Sequence, residues 1–271
     1  MPYKIFIPRD SSAISLGADK VYQEILNESK NRNIDIDIVR NGSRGLFWLE
    51  PMIEVETSKG RVAYGPVAIS DVTSLFDSEF FLGNKHQLFL GITEDIKWLK
   101  NQERLTYARV GITDPLSTVD YEKWDGFKGL KNSLKLSPEK IVKEIADSGL
   151  RGRGGAAFPT GIKWKTVLDA PSEKKYIVCN ADEGDSGTIS DRMIMENDPF
   201  VLIEGMIIAG LAVGADQGYI YLRSEYPHAL KILNEAIGTA LEKGYLGKNI
   251  LGFRGYSRCW SLYLWRGNFL A

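Results

Sequence analysis

Two neighbouring stretches carry residue types able to hold a charged, hydroxyl-rich ligand. The first is Gly152-Arg153-Gly154-Gly155-Ala156-Ala157-Phe158, followed by Lys163. Gly152, Gly154, Gly155 and Gly161 leave backbone N–H groups open to close approach by an anion. Arg151, Arg153, Lys163 and Lys165 add positive charge, so the chemistry suggested is phosphate binding. A glycine-rich turn with incidental basic residues fits the same string. The second stretch is Asn180-Ala181-Asp182-Glu183-Gly184-Asp185-Ser186-Gly187. Its carboxylates can accept from ribose hydroxyls, and Asn180 offers both a donor and an acceptor to a polar ring edge. An acidic turn that caps a helix is the plainer alternative. Phe158 follows no core periodicity, which leaves its ring available to a planar cofactor.

Two motif readings fail on spacing. Gly152–Ala157 matches G-x-G-x-x-A, but the dinucleotide fingerprint needs a strand immediately before it, and a helix is predicted there. A calcium loop counted from Asp182 places Met193 where a bidentate Glu is required. Cys179 lies in the apolar run YIVC and reads as core packing rather than as a nucleophile. Cys179 and Cys259 are the only cysteines and His86 and His228 the only histidines. That is too few for a four-thiolate cluster or a zinc site within the chain, so no catalytic residue and no metal ligand is assigned.

The elements that must position these loops follow from periodicity. Lys4–Pro8 predicts a strand, Gly17–Asn31 a helix with Val21, Ile25 and Leu26 on one face, and Ile34–Arg40 a half-buried strand. Met52–Thr57 and Arg61–Val67 pair across Ser58-Lys59-Gly60, and a short helix covers Asp71–Phe76. This order, within residues 1–92, resembles a thioredoxin-like domain. Without a C-x-x-C it implies a structural or docking role. Arg44, in the turn-rich Asn41–Gly45, reads as part of a surface loop or as an anion grip. Residues 93–136 show no periodicity and form a connecting segment, expected to be packed because it carries Trp98, Tyr107, Tyr121, Trp124 and Phe127.

Residues 137–251 alternate helix and strand. Ser137-Pro138-Glu139 opens a helix that stops at Gly149. Then come a helix or loop over Lys163–Leu168, a compact buried strand at Lys175–Asn180, a long apolar helix at Asn197–Ala215, a strand at Gly218–Arg223 and a helix at Pro227–Lys243. The fold class expected is α/β with a largely parallel sheet. A length of 271 residues allows two domains. The net charge of −1 gives no reason to expect nucleic acid or an anionic membrane. No run approaches the ~20 apolar residues of a membrane span, and MPYKIFIPRDSS lacks the pattern of a signal peptide. A reducing cytoplasm fits these features.

GLRGRGGAAFPTGIKW, CNADEGDSGTISDR, LIEGMIIAGLAVGA and GYIYLRSEYPHA resemble the flavoprotein subunit shared by respiratory NADH dehydrogenase, NAD-reducing hydrogenases and NAD-dependent formate dehydrogenases. The N-terminal strings PRDSSAISLGADKV, IVRNGSRGLFWLEPMIEVET and GRVAYGPV look like the beta subunit of the soluble, molybdenum-containing formate dehydrogenase. The resemblance implies FMN and NAD as cofactors and hydride transfer between nicotinamide and flavin. It implies that Gly152 and Gly154, with the adjoining Arg153 and Gly155, lie against FMN, that Lys163 reaches the flavin, and that Phe158 stacks near the nicotinamide. It implies further that Asn180, Asp182 and Glu183, with Gly184, hold FMN and that Asp185 serves the dinucleotide. Ser186 stands where the family often has Pro. The implied partners are the molybdenum-containing alpha and iron–sulfur gamma subunits of the formate enzyme, or their counterparts in a related complex.

After NILG the family continues into G-A-[YF]-x-C-G-E-E-T, a further domain and a four-cysteine [4Fe-4S] module. Here residues 252–271 read GFRGYSRCWSLYLWRGNFLA, an aberrant tail with no expected helix or strand and without the cluster ligands. Trp260–Phe269 can be encoded TGG AGC CTT TAT CTG TGG AGA GGA AAC TTY. Read one base later, the same bases give G-A-F-I-C-G-E-E-T. The expectation is a frameshift, in the gene or in its sequencing, beginning near Gly252. The nucleotide sequence across these codons tests it.

Overall fold

β1 (Tyr3–Phe6) leads through α1 (Ser11–Ser15) and α2 (Ala18–Asn31) to β2 (Ile36–Val39), which pairs parallel to β1. The crossover forms because Asp10 caps α1, accepting from the amides of Ser12 and Ala13, while α2 buries Val21 and Ile25. β3 (Ile53–Thr57) runs antiparallel to β1 and makes the expected hairpin with β4 (Gly60–Tyr64). After α3 (Val72–Asp77), β5 (Phe89–Ile92), not foreseen in the sequence, adds to β4; α4 (Lys97–Lys100) follows. The sheet order is β2-β1-β3-β4-β5. Its core gathers Ile5, Ile53, Tyr64, Phe76 and Phe80, all fully or almost fully buried.

The computed structural model describes residues 2–185, 187–247 and 261–267, the last stretch by its backbone alone. Two compact units divide the chain: Met1–Ser117 with Glu196–Asp198, and Thr118–Met195 with Pro199–Ala271. Residues 196–198 belong to the first unit because the Ser11 amide donates to Glu196 at 2.8 Å and Arg109 donates to Asp198 at 2.9 Å.

Arg44 is neither a surface residue nor a free anion grip. It is 3% exposed and donates through Nε and Nη2 to both oxygens of Glu54, each at 2.8 Å, and through Nη1 to Glu94. Of the aromatics expected to pack between residues 93 and 136, Tyr121 and Phe127 are buried, whereas Trp98 and Trp124 are exposed. The stretch itself carries α4 and two further short helices, α5 (Thr118–Lys123) and α6 (Lys128–Ser133).

The second unit continues with α7 (Pro138–Asp147), α8 (Thr160–Asp169), β6 (Tyr176–Ala181), α9 (Ser190–Asn197), α10 (Pro199–Val213), β7 (Gln217–Arg223) and α11 (Pro227–Glu242). Ser137 caps α7 as expected, accepting from the Lys140 amide. The apolar run predicted as one helix is α10, separated from α9 by Asp198. α10 is apolar on nearly every face, the signature of a buried helix. It packs against α7 and α8 and also against β6. Its one acid, Glu204, accepts from Tyr121 Oη (2.6 Å) and from the amides of Phe127 and Leu130.

β6 and β7 pair in parallel, giving the expected α/β layer. The tail departs from expectation: Ser261–Gly267 forms a third parallel strand, β8, against β7. Its string SLYLWRG is rich in residues that suit strands. Residues 252–260 and 268–271, which share the frameshift expectation, lie outside the described residues. β6 is also less buried than expected, because at the edge of the sheet Tyr176 and Val178 stand 48% and 65% exposed.

Candidate functional site

The glycine loop is a closed hairpin between two helices. The Gly152 amide donates to Phe158 O at 2.9 Å and the Thr160 amide to Leu150 O at 2.9 Å. Arg151 bridges to Pro159 and sends Nη1 to Ala157 O at 3.0 Å, so this cation closes the loop. Gly155, at φ 96°, takes a left-handed conformation that suits glycine. A Cβ added at Gly154 or Gly155 would meet nothing within 4 Å among the described residues, so the backbone there is open on their side. A helix stands before the loop and another after it, which removes the dinucleotide fingerprint on structural grounds as well.

The four expected cations separate into two kinds. Lys165 is bound to Asp169 and Arg151 to the loop backbone. Arg153 makes no hydrogen bond or ion pair among the described residues, and Lys163 has only the Phe158 ring, 5.8 Å from its Nζ. Phe158 is 46% exposed. Pro159, at the N-cap of α8, offers no side-chain cap, and the positive end of that helix adds to the same field. Gly161, expected to help cradle an anion, does something else. A Cβ there would stand 2.5 Å from Ala146 Cα, so this glycine lets α8 approach α7.

The acidic loop leaves the C-terminal end of β6, the edge at which α/β sheets bind ligands. Asn180 Oδ1 accepts from the Asp182 amide at 3.1 Å, turning the chain. Asp182 Oδ1 is buried and has no hydrogen-bond partner among the described residues. Gly184 makes room beside it, since a Cβ there would be 3.2 Å from Asp182 Oδ2. Asp185 is exposed, and its carbonyl accepts from the Thr188 amide.

Glu183 takes the capping role that was the plainer alternative for this loop. At φ 40°, its carboxylate accepts from Ser190 Oγ (3.0 Å), the amides of Asp191 (2.7 Å) and Arg192 (3.1 Å), and Tyr226 Oη (2.9 Å). Burial pushes its carboxyl up, but these donors outweigh burial and hold it below the usual carboxylate range. Arg223 Nη1 donates to Glu183 O at 2.6 Å. Burial raises the Cys179 thiol to about 11, which suits packing and not nucleophilic work.

The structure therefore brings together Phe158 with Lys163 at one loop, and Asn180, Asp182 and Glu183 at the other. α10 supports both, through α7 and α8 on one side and β6 on the other. Arg223 and Tyr226 were missed. Their signal was in the sequence, because the string LRSEY closes a second parallel strand and runs on past its end, at the same sheet edge.

Residues 145–258 match the family described as the Nuo51 FMN-binding domain. The described part of that match contains both loops. The chain is 52% identical over 136 residues to a subunit of the NADH-quinone oxidoreductase of Aquifex aeolicus, covering 50% of this chain and 32% of that protein. It is 48% identical over 153 residues to the HndC subunit of the NADP-reducing hydrogenase of Solidesulfovibrio fructosivorans, covering 56% and 31%. The alpha subunit of the NAD-reducing hydrogenase HoxS of Cupriavidus necator is 45% identical over 127 residues, 47% of this chain and 21% of that one. The chain thus spans about a third or less of the length of these curated relatives. A crystal structure of an NAD+-reducing [NiFe]-hydrogenase aligns over 98% of this chain and 43% of its own, at 20% identity and a TM-score of 0.42. No helix among the described residues is long and apolar enough to cross a membrane.

Proposed function

We propose that this chain is the flavin-holding part of an electron-transfer subunit that moves a hydride between NAD(H) and FMN. The observation that carries the reading is a pair of unsatisfied edges in one unit. One is an open glycine backbone with Arg153 and Lys163, neither in an ion pair among the described residues; the other is the buried Asp182 Oδ1, without a hydrogen-bond partner among them. Both fit a phosphorylated, hydroxyl-rich cofactor. Gly152, Gly154 and Gly155 would offer backbone N–H groups to its phosphate, with Arg153 and Lys163 balancing the charge. Asn180 and Asp182 would take its polar groups, while Glu183 and Gly184 shape the loop around them. Phe158 offers its exposed ring to the nicotinamide, and Asp185 its carboxylate to the dinucleotide. Bound FMN supplies the converter between the two-electron chemistry of the nicotinamide and one-electron carriers.

For the parent complex we favour a formate dehydrogenase, in which molybdenum-containing alpha and iron–sulfur gamma subunits would be partners. Support comes from the N-terminal strings in residues 1–92. The curated relatives favour the second reading, a flavoprotein subunit of an NAD-reducing hydrogenase or an NADH dehydrogenase. Neighbouring genes for a molybdenum-binding formate subunit support the first; hydrogenase or quinone-module genes support the second.

The test of the shared reading is the visible spectrum of the purified chain with FMN, then NADH, followed by NADH–ferricyanide activity. Retained flavin supports it. No flavin and no activity would instead identify a product that folds in part and catalyses nothing.

A further inference from the structure

We propose that Tyr226 and Arg223 are positioning residues of the acidic loop: they hold Glu183 in its left-handed conformation and so fix where Asp182 points. This rests on the flavin reading of the same site.

Glu183 sits at φ 40°, a conformation that a residue with a side chain keeps only when its surroundings over-determine it. The Ser190, Asp191 and Arg192 donors to its carboxylate belong to the loop's own helix, α9. They lie seven to nine residues on from Glu183 in the same segment. Two anchors come from outside. Tyr226 Oη donates to Glu183 Oε2 at 2.9 Å, and Arg223 Nη1 donates to the Glu183 carbonyl at 2.6 Å. Side chain and main chain are thus gripped separately, by two residues at and just beyond the end of β7.

The grip is itself braced. Parallel register sets Ala181 opposite Leu222, so the ends of β6 and β7 lie side by side. Tyr226 is 9% exposed, with the Arg192 and Arg223 guanidinium carbons 5.7 and 5.8 Å from its ring centroid. Glu183 adjoins Asp182 in the chain. A rotation at Glu183 would therefore swing the orphaned Asp182 oxygen away from the place where a ligand donor could meet it.

The experiment compares the full 271-residue chain with Tyr226→Phe and Arg223→Lys, titrating FMN by quenching of flavin fluorescence. Losing one hydrogen bond to a charged group should weaken FMN binding about tenfold in Tyr226→Phe. It should also move the acid limb of FMN binding to higher pH, because Glu183 loses a donor that keeps it ionised. A role in packing alone would leave that limb in place. Unchanged affinity with an unmoved limb overturns the proposal. A second arm needs no flavin: amide hydrogen exchange at Asp191 and Arg192 should quicken in Tyr226→Phe, and unchanged exchange also overturns it. If exchange quickens but the parent chain takes up no FMN, the flavin reading fails and the anchoring of Glu183 stands.

Discussion

Gly161 of α8 approaches Ala146 of α7 so closely that a Cβ on the glycine would stand 2.5 Å from the alanine Cα and 2.8 Å from its N. In an open helix interior, Gly→Ala gains about 1 kcal/mol. Here the added methyl meets backbone, which cannot swing aside, so the sign reverses. Gly161→Ala should cost roughly 1–3 kcal/mol in urea unfolding. It should also weaken FMN binding, because α7 and α8 hold the two ends of the glycine loop. A stabilised variant would show that the helices separate freely.

The Arg44–Glu54 pair predicts a different pattern. Both side chains are at most 3% exposed, and once Arg44 is gone Arg61, 3.7 Å away, is the one ion-pair partner left to Glu54 among the described residues. Burial acts to lower the Arg44 pKa, but Glu54 and Glu94 outweigh it and hold the guanidinium above its ordinary range. Arg44→Met should therefore cost about 3–5 kcal/mol, because a buried carboxylate is left without its main partner. Arg44→Lys should rescue little, since an ammonium cannot replace the two-point fork. Replacing both residues with Met should recover most of the loss in thermal melts. A double variant as unstable as the single one would refute the charge argument.

Glu50 gives the first unit a pH dependence. Burial pushes its carboxyl up to about 7, with nearby Asp10 and Glu54 adding to the rise and Ser43 and the Met52 amide opposing it. An acid whose folded pKa is raised binds its proton more tightly when folded. Its contribution is fully present below about 4.5 and is lost as pH rises through about 7. The window corresponds to up to ~3 kcal/mol. Urea stability should fall between pH 5 and 7.5 in the parent and stay flatter in Glu50→Gln. Equal slopes would remove Glu50 as the cause.

What the sequence revealed about the fold, and what it hid, divides by range. The Ser137-Pro138 helix start, the β3–β4 hairpin and the β1–α2–β2 crossover were legible because turn chemistry and periodicity act over a few residues. Arg44 was misread because its partners lie 10 and 50 positions away. Gly161 was counted with the loop because sequence cannot show that Ala146 stands against it. At the candidate site, the two loops were legible from composition. The division of labour within them was not. Only the fold shows that Lys165 is spent on Asp169, that Arg153 is free among the described residues, and that Tyr226, 43 residues on, takes hold of Glu183.

Asp182 should separate stability from binding. Its buried Oδ1 lacks a hydrogen-bond partner among the described residues, and an unsatisfied buried acceptor costs about 1–3 kcal/mol of folding free energy. Such a cost persists at a functional site when a ligand supplies the missing donor. Asp182→Ala should therefore raise the stability of the ligand-free chain by about 1 kcal/mol while weakening FMN at least about tenfold. Lys163→Ala should weaken FMN without the gain, because its exposed ammonium makes no ion pair among the described residues. Denaturation without ligand and fluorescence titration with FMN read the two quantities separately. If Asp182→Ala lowers stability, the carboxylate supports the fold and the orphaned oxygen is not a ligand-binding group.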